Sequence, residues 1–449
     1  MNAHDYFNGK RVTVMGLGTL GRAISDVDFL ARMGALVTVT DLKSADTLRD
    51  SINKLAAHRN ITYHLGGHRE YDFVNTDMVL RAPDAPLDSP YIVTAIKHGV
   101  PVKVSAALFS ELAGDSIMVI GITGTRGKST TATLIYHILS ARRAGRVLLG
   151  GNVRGGEGLA LLGKVRDGDT VVLELDSWQL QGFGDSRLSP HIAIFTTFMQ
   201  DHMNYYRGDM KRYFSDKANI FRYQNERDVL IVGPSAEVAI EKYYGADIRS
   251  RVVSADARDL PKDWNLRILG THNRDNAALA MRACELLGVM EPQLRSGIES
   301  FTGIEGRLQF VGEQCGVKIY NDNNATTPDA TVAGLRALGL ASRNIILIMG
   351  GTDKGLHMDG LLAEIPRYCR AVVAYAGTGT DTIRAALGAI GNGLVVRDAR
   401  SLGEAVSIAR EIGNSGDSIL FSPAFASFGT EFKNEYDRND QFMALVKTT

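Results

Sequence analysis

The stretch Gly124-Thr125-Arg126-Gly127-Lys128-Ser129-Thr130 holds the residue types best suited to chemistry. Residues 117–123 before it form an apolar run that reads as a short buried strand, and residues 131–140 after it read as a helix. A glycine loop between strand and helix lets backbone N–H groups approach an anion at the helix N-terminus. Lys128 would neutralise phosphate charge there, and the Ser129 hydroxyl would hold Mg²⁺. The P-loop pattern needs glycine at position 122, which is Ile122; Gly121 lies one place early. The competing reading is a plain glycine-rich turn, and the flanking strand and helix weigh against it.

Two further side chains fall on the same predicted sheet edge, and a third lies in a helix. Glu174 ends an apolar run, residues 171–175, where a carboxylate is costly unless paired or bound to metal. Open parallel sheets bind ligands at the carboxyl ends of their strands, so Glu174 and the loop at Gly124 should open on one edge. His202 follows the next strand, residues 192–197, on that edge. Lys217 falls in the apolar stripe of an amphipathic helix, residues 210–224, together with Met210, Tyr213, Phe214, Ile220 and Phe221. A lysine there either snorkels to an ion pair or is desolvated, with a lowered pKa and a reactive amine. An uncharged amine can take up CO₂ as a carbamate and bind metal.

A second glycine loop, Gly16-Leu17-Gly18-Thr19-Leu20-Gly21, follows the strand at residues 12–15, and the next strand ends at Asp41. This is a Rossmann fingerprint in its expected context. Gly16, Gly18, Thr19 and Gly21 would cradle a diphosphate, and Asp41 would take a sugar or base hydroxyl or simply end a strand. The loop fits NAD or a sugar nucleotide equally.

Short apolar runs must position these groups. Candidate strands at residues 12–15, 37–40, 100–104, 117–121, 171–175, 192–197, 229–232, 345–349, 372–375 and 418–422 alternate with helical stretches. That pattern predicts an α/β protein with parallel sheets covered on both faces. Breaks near Gly114 and Gly303 divide the chain into three domains, residues 1–113, 114–304 and 305–449: a Rossmann-like first domain, a central P-loop-like ATPase domain and a Rossmann-like third. Fifty basic residues balance fifty acidic ones, which removes the electrostatic case for a nucleic-acid partner. No apolar run approaches the length of a membrane span. Residues 1–10 lack the apolar core of a signal peptide, and Cys284, Cys315 and Cys369 have neither pairing nor metal spacing, which suits a reducing cytoplasm.

The order and spacing of Gly124 to Thr130, Glu174, Asp201-His202, Lys217, the run from Thr271 to Asn276 and the run from Ser422 to Ser427 resemble the Mur ligase family over nearly the whole chain. The resemblance implies ATP-dependent amide formation in peptidoglycan precursor synthesis, in the cytoplasm and as a monomer. The closest pattern implies addition of D-glutamate to UDP-N-acetylmuramoyl-L-alanine through an acyl phosphate. It further implies that Gly124, Thr125, Gly127, Lys128, Ser129 and Thr130 hold ATP phosphates, with Asn273 and Asn276 beside adenine, Arg307 over ATP and Asp322 on the ribose. Ser129 and Glu174 would bind one Mg²⁺, and Glu174, His202 and a carbamylated Lys217 a second. Asn152 and the first glycine loop would face the UDP-sugar substrate; Thr326, Lys354 and Ser427 would line the amino-acid pocket. Lys128, Glu174, His202 and Lys217 are the expected catalytic group.

The chain departs from the family pattern where Asn323-Asn324 replaces Ser-Lys, where Glu435 replaces an aromatic, where the Ser427–Phe432 stretch carries one extra residue, and where Ala82-Pro83-Asp84 replaces Ser-Pro-Gly. Those changes leave an L-glutamate-adding variant as an alternative. A folylpolyglutamate-synthase-like ligase leaves the first glycine loop without a role, and an NAD-dependent dehydrogenase leaves Gly124 to Thr130 and Lys217 without one.

Overall fold

The computed structural model describes residues 3–18, 21–141, 145–153, 155–245, 247–339, 343–391, 393–427 and 431–447. The chain divides into two compact units, Met1–Asp263 with Asp275–Ile298, and Trp264–Arg274 with Glu299–Thr449.

The first unit holds two sheets. Strands β1 (Arg11–Met15), β2 (Leu36–Asp41), β3 (Ile61–Leu65), β4 (Met78–Arg81) and β5 (Val102–Lys103) lie in the order β3-β2-β1-β4-β5, every pair parallel. Strands β6 (Met118–Thr123), β7 (Val147–Gly151), β8 (Thr170–Glu174), β9 (Ile192–Phe195), β10 (Val229–Val232) and β11 (Arg251–Ser254) follow in the order β11-β10-β9-β6-β8-β7, also all parallel. Helices on both faces explain why β6, β8 and β9 are continuous apolar runs rather than alternating ones. Val171, Val172, Leu173, Ile194 and Phe195 are fully buried, and each such side chain contributes about 1.5–3 kcal/mol of burial. The strand order reverses at β1 and at β6, so the loops after these two strands open at switch points, where ligands bind in such sheets. Those loops are the two glycine loops.

A buried polar junction joins the two sheets. Asp26 accepts the Ser105 hydroxyl at 2.5 Å and the Ala160 N–H at 3.2 Å, and Leu159 N–H donates to Ser105 Oγ at 2.7 Å. Burial pushes the Asp26 carboxyl up to about 6.

The second unit holds β12 (Gln309–Gln314), β13 (Val317–Asn321), β14 (Ile345–Gly350), β15 (Cys369–Tyr375), β16 (Val395–Ala399) and β17 (Ser418–Ala424), in the order β12-β13-β17-β14-β15-β16. The β12–β13 pair is antiparallel. The expectation of parallel sheets throughout therefore fails at this edge, because the short Cys315-Gly316 turn permits only a hairpin.

Other boundaries also shift. The expected strand at residues 100–104 shrinks to the two residues of β5. The helix after the phosphate loop begins at Lys128, not at 131. The helix expected over 210–224 ends at Ala218, where the Asn219 side chain turns inward and donates to the Leu180 carbonyl at 3.0 Å. Strands β3 and β16 escaped notice because Thr62, His64, Arg397 and Asp398 break their apolar pattern.

Candidate active site

The loop after β6 has the glycine backbone and the following helix start that an anion site needs. Gly124 has φ +148 and Gly127 has φ +86, conformations that favour glycine. A Cβ on Gly127 would collide with Asn276 Oδ1, so Asn276 lies against the loop. Threonines at the end of β9 hold the loop in place: Thr197 Oγ1 accepts the Arg126 N–H at 2.8 Å, Thr196 Oγ1 donates to the Arg126 carbonyl at 2.5 Å, and Thr125 N–H donates to the Thr197 carbonyl at 2.7 Å. Lys128, Ser129 and Thr130 form the first turn of the helix Lys128–Ala141, so their N–H groups face the loop mouth.

Two lysines converge on one carbonyl. Lys128 Nζ donates to Gly124 O at 3.0 Å and to Thr125 O at 3.2 Å. Lys217 Nζ donates to the same Gly124 O at 2.9 Å and to Thr123 Oγ1 at 3.3 Å. Lys217 is 1% exposed. Burial holds its pKa well below that of a free lysine, and the Lys128 charge lowers it further against the opposing fields of Asp176, Asp201 and Glu174. Of the two readings of Lys217, desolvated and snorkelling, the geometry favours the first.

Glu174, 2% exposed, closes β8 beside Ile122 of β6 and Gly151 of β7. The Asn152 N–H donates to the Glu174 carbonyl at 2.8 Å, which brings Asn152 to the same edge. His202 sits in the left-handed region, its ring 4.6 Å from that of Trp178, and burial lowers its pKa. Its Nε2 is 3.8 Å from Asp201. Among the described residues no group of three or more His, Cys, Asp or Glu side chains converges as a cation cage. Mg²⁺ does not need one, since it keeps several waters and takes one or two carboxylates plus substrate phosphates. A buried carboxylate on the phosphate-loop edge, with the Ser129 hydroxyl in the loop's own helix, fits that hard cation.

In the first glycine loop Asp41 bonds the loop backbone itself. Asp41 Oδ2 accepts the N–H groups of Leu17 and Gly18 at 2.9 and 3.0 Å, and Oδ1 accepts that of Lys43 at 2.8 Å. Asp41 therefore shapes the loop from behind. Gly16 and Gly18 flank Leu17 in this contact, Gly21 precedes the helix Arg22–Arg32, and Thr19 lies outside the described residues.

In the second unit Asp322, at the end of β13, accepts the Ser422 hydroxyl at 2.9 Å and the Leu308 N–H at 2.9 Å, with Arg307 next in sequence. Burial raises its carboxyl to about 7. Lys354 Nζ donates to the Thr326 carbonyl and hydroxyl, both at 3.1 Å. Thr352 and Ala426 pair through reciprocal N–H to carbonyl bonds, which sets Ser427 beside the Lys354 loop. Asn273 donates to the Leu269 carbonyl at 2.6 Å.

The divergent residues also meet: Asn323 Nδ2 donates to Asn324 Oδ1 at 3.2 Å and to the Glu435 carbonyl at 2.9 Å. Arg438, fully buried, donates to Asn323 Oδ1 at 2.8 Å, to Asn323 O at 2.9 Å and to Phe425 O at 3.2 Å. Sequence reasoning missed Arg438, Trp178, Thr196 and Tyr213, whose hydroxyl lies 3.3 Å from Thr125 Oγ1. Thr196 carried a visible signal as a hydroxyl closing an apolar strand, and Tyr213 as a member of the apolar stripe beside Lys217, read there only as core.

Glycine loops at two switch points, with a desolvated lysine and a buried carboxylate at one of them, define a nucleotide-using α/β enzyme. Three family models match the chain in succession: Mur ligase MurD-like N-terminal domain over residues 10–104, Mur ligase middle domain over 122–284, and Mur ligase glutamate ligase domain over 306–425. The UDP-N-acetylmuramoylalanine–D-glutamate ligase of Roseiflexus sp. (strain RS-1) is 34% identical, covering 98% of this chain and 99% of that protein. The same-named ligase of Geobacillus kaustophilus (strain HTA426) is 33% identical over 99% of each. Among solved structures, the UDP-N-acetylmuramate–alanine ligase MurC of Thermotoga maritima aligns with TM-score 0.61 at 19% identity, over 98% of this chain and 99% of that one. MurF of Acinetobacter baumannii aligns with TM-score 0.56 at 16% identity, over 100% and 93%. The chain belongs to the Mur ligase family, and it is a ligase with that family's α/β fold.

Proposed function

We propose that the protein uses ATP to join D-glutamate to UDP-N-acetylmuramoyl-L-alanine in the cytoplasm, as a monomer. The carrying observation is the end-to-end likeness to relatives named for that reaction, at 34% and 33% identity. The site supports an ATP-driven activation of a carboxylate. The loop amides of Gly124 to Thr130 and the Lys128 ammonium bind and align the ATP phosphates, and Asn276, against the loop, would serve the adenine, as would Asn273. Arg307 takes phosphate charge and Asp322 the ribose hydroxyls.

The UDP-sugar sits on the Gly16–Gly21 loop with its peptide toward Asn152. Its terminal carboxylate attacks the γ-phosphorus, the bond to the β-phosphate oxygen breaks, and ADP leaves an acyl phosphate. The glutamate amine then attacks the acyl carbon, the carbon–oxygen bond to phosphate breaks, and the ammonium proton passes to a base, His202 or a nearby carboxylate. Lys354, Thr326 and Ser427 orient the glutamate.

Ser129 and Glu174 would hold one Mg²⁺, and Glu174, His202 and a carbamylated Lys217 would bind or orient a second; the ions would supply charge neutralisation at the transferring phosphoryl group. Lys217 reacts as a free amine with CO₂, forming an N–C bond and releasing one proton; the resulting carbamate adds a second anionic ligand there. The test is phosphate release from ATP with UDP-N-acetylmuramoyl-L-alanine and each glutamate enantiomer. Release with D-glutamate alone is expected; release only with the L form overturns the stereochemistry, and release with neither overturns the substrate.

A further inference from the structure

The turn after β4 bears directly on the first glycine loop. The Ala82 N–H donates to the Met15 carbonyl at 2.8 Å, and a Cβ on Gly16 would meet that of Ala82 at 3.0 Å. Arg81, 2% exposed, holds this turn from within. Its Nη1 donates to the carbonyls of Pro83 at 2.6 Å, Ala82 at 3.3 Å and Ala85 at 3.4 Å. Its Nη2 donates to Gln181 Oε1 at 3.1 Å, on the helix Ser177–Asp185 beside the second sheet.

Gln181 continues the connection. Its Nε2 donates to Asp216 Oδ2 at 2.8 Å and to Tyr205 Oη at 3.2 Å, and Tyr206 Oη donates to the same Asp216 oxygen at 3.0 Å. Asp216 immediately precedes Lys217 on the helix Met210–Ala218. Both ends of the Gln181 amide are engaged, so its orientation is fixed.

A guanidinium buried against neutral carbonyls is costly, and an apolar side chain would fill the place without that penalty. The fields of Asp185, Asp216 and Asp176 offset part of the cost without an ion pair. What Arg81 supplies and an apolar residue would not is directional contact with the turn and the helix at once.

We infer that Arg81, Gln181 and Asp216 form a largely buried strut that fixes the Gly16 loop relative to the helix carrying Lys217. A substrate held on the loop is thereby presented to the phosphate-loop edge at a set distance. Arg81 is a positioning residue. Its role in turnover rests on the ligase reading above; the strut itself does not.

The experiment compares Arg81→Met, Gln181→Met and the double variant. Each single change should lower kcat/KM for UDP-N-acetylmuramoyl-L-alanine about 10- to 100-fold, as misplaced reactants do, and leave KM for ATP within about twofold. The double variant should be no worse than the poorer single, since both break one strut. Asp216→Asn keeps the acceptor and should retain most of the rate. Additive losses, an equal rise in KM for ATP, or unchanged rates overturn the inference. Amide hydrogen exchange on the ligand-free protein separates the strut from the ligase reading. Arg81→Met and Gln181→Met should both speed exchange in the helix Met210–Ala218 as well as in residues 82–85. Acceleration confined to residues 82–85 overturns the strut whatever substrate the protein accepts. Should Arg81→Met not fold, Gln181→Met gives the same readings.

Discussion

Lys217 Nζ and Lys128 Nζ both donate to the carbonyl oxygen of Gly124, at 2.9 and 3.0 Å. Two ammonium groups cannot comfortably share one neutral acceptor, and Lys217, the buried partner, is the one whose proton is destabilised.

Lys217→Ala should therefore lower ligase turnover by about 100-fold or more, the scale of losing a charge-stabilising group. If the amine acts as a carbamate, millimolar formate or acetate should restore part of the rate. Steady-state phosphate release with and without the added acid decides it; absence of rescue argues for a plain amine.

The same residue links stability to pH. Its folded pKa lies below the 10.5 of a free lysine, so between the two values the unfolded chain binds a proton that the folded chain does not. Stability from this site rises with pH across that window. Urea midpoints at pH 7 and pH 9 should rise more in the wild type than in Lys217→Met, with the variant the more stable at pH 7.

Asp322 works in the opposite direction. Its carboxyl is raised from 3.8 to about 7, so its contribution to stability is full below about pH 4 and is lost as pH rises through about 7. Asp322→Asn should exceed the wild type in stability at pH 8 by on the order of 2–4 kcal/mol, with the gap closing toward pH 4. If the ionised form grips the ribose, KM for ATP should rise below pH 7 in the wild type and stay flat in the variant.

Gly127→Ala should raise KM for ATP by about tenfold or more, since the added Cβ meets Asn276 and the φ of +86 is strained for alanine. Isothermal titration with ADP would read this directly. Unchanged affinity would remove the loop from the nucleotide site.

Asp41→Ala should cost about 1–3 kcal/mol of stability, because three backbone donors lose a charged acceptor. KM for the UDP-sugar should rise while KM for ATP holds. Thermal unfolding and a two-substrate kinetic comparison test both halves.

Much of the site was readable from residue order. Gly124 to Thr130, Glu174, His202 and Lys217 stood out because local rules expose them: glycines between a strand and a helix, a carboxylate in an apolar run, a lysine in an apolar stripe. These are patterns of near neighbours. The hairpin of β12 and β13 was also local, yet Phe310 and Lys318 gave it no clean alternation, and it passed unseen.

The chain alone singled out the groups proposed for the site: Glu174 closes a strand, the Gly124 to Thr130 loop follows the neighbouring strand, and parallel pairing brings those two ends together. Tertiary structure decided what the groups do to one another. That the Lys217 pKa falls below that of a free lysine depends on burial and on Lys128, from a distant part of the chain. That Asp41 braces a loop depends on β1 and β2 lying side by side. Burial, charge proximity and hydrogen-bond direction are set by packing across sheets, and no spacing along the chain encodes them.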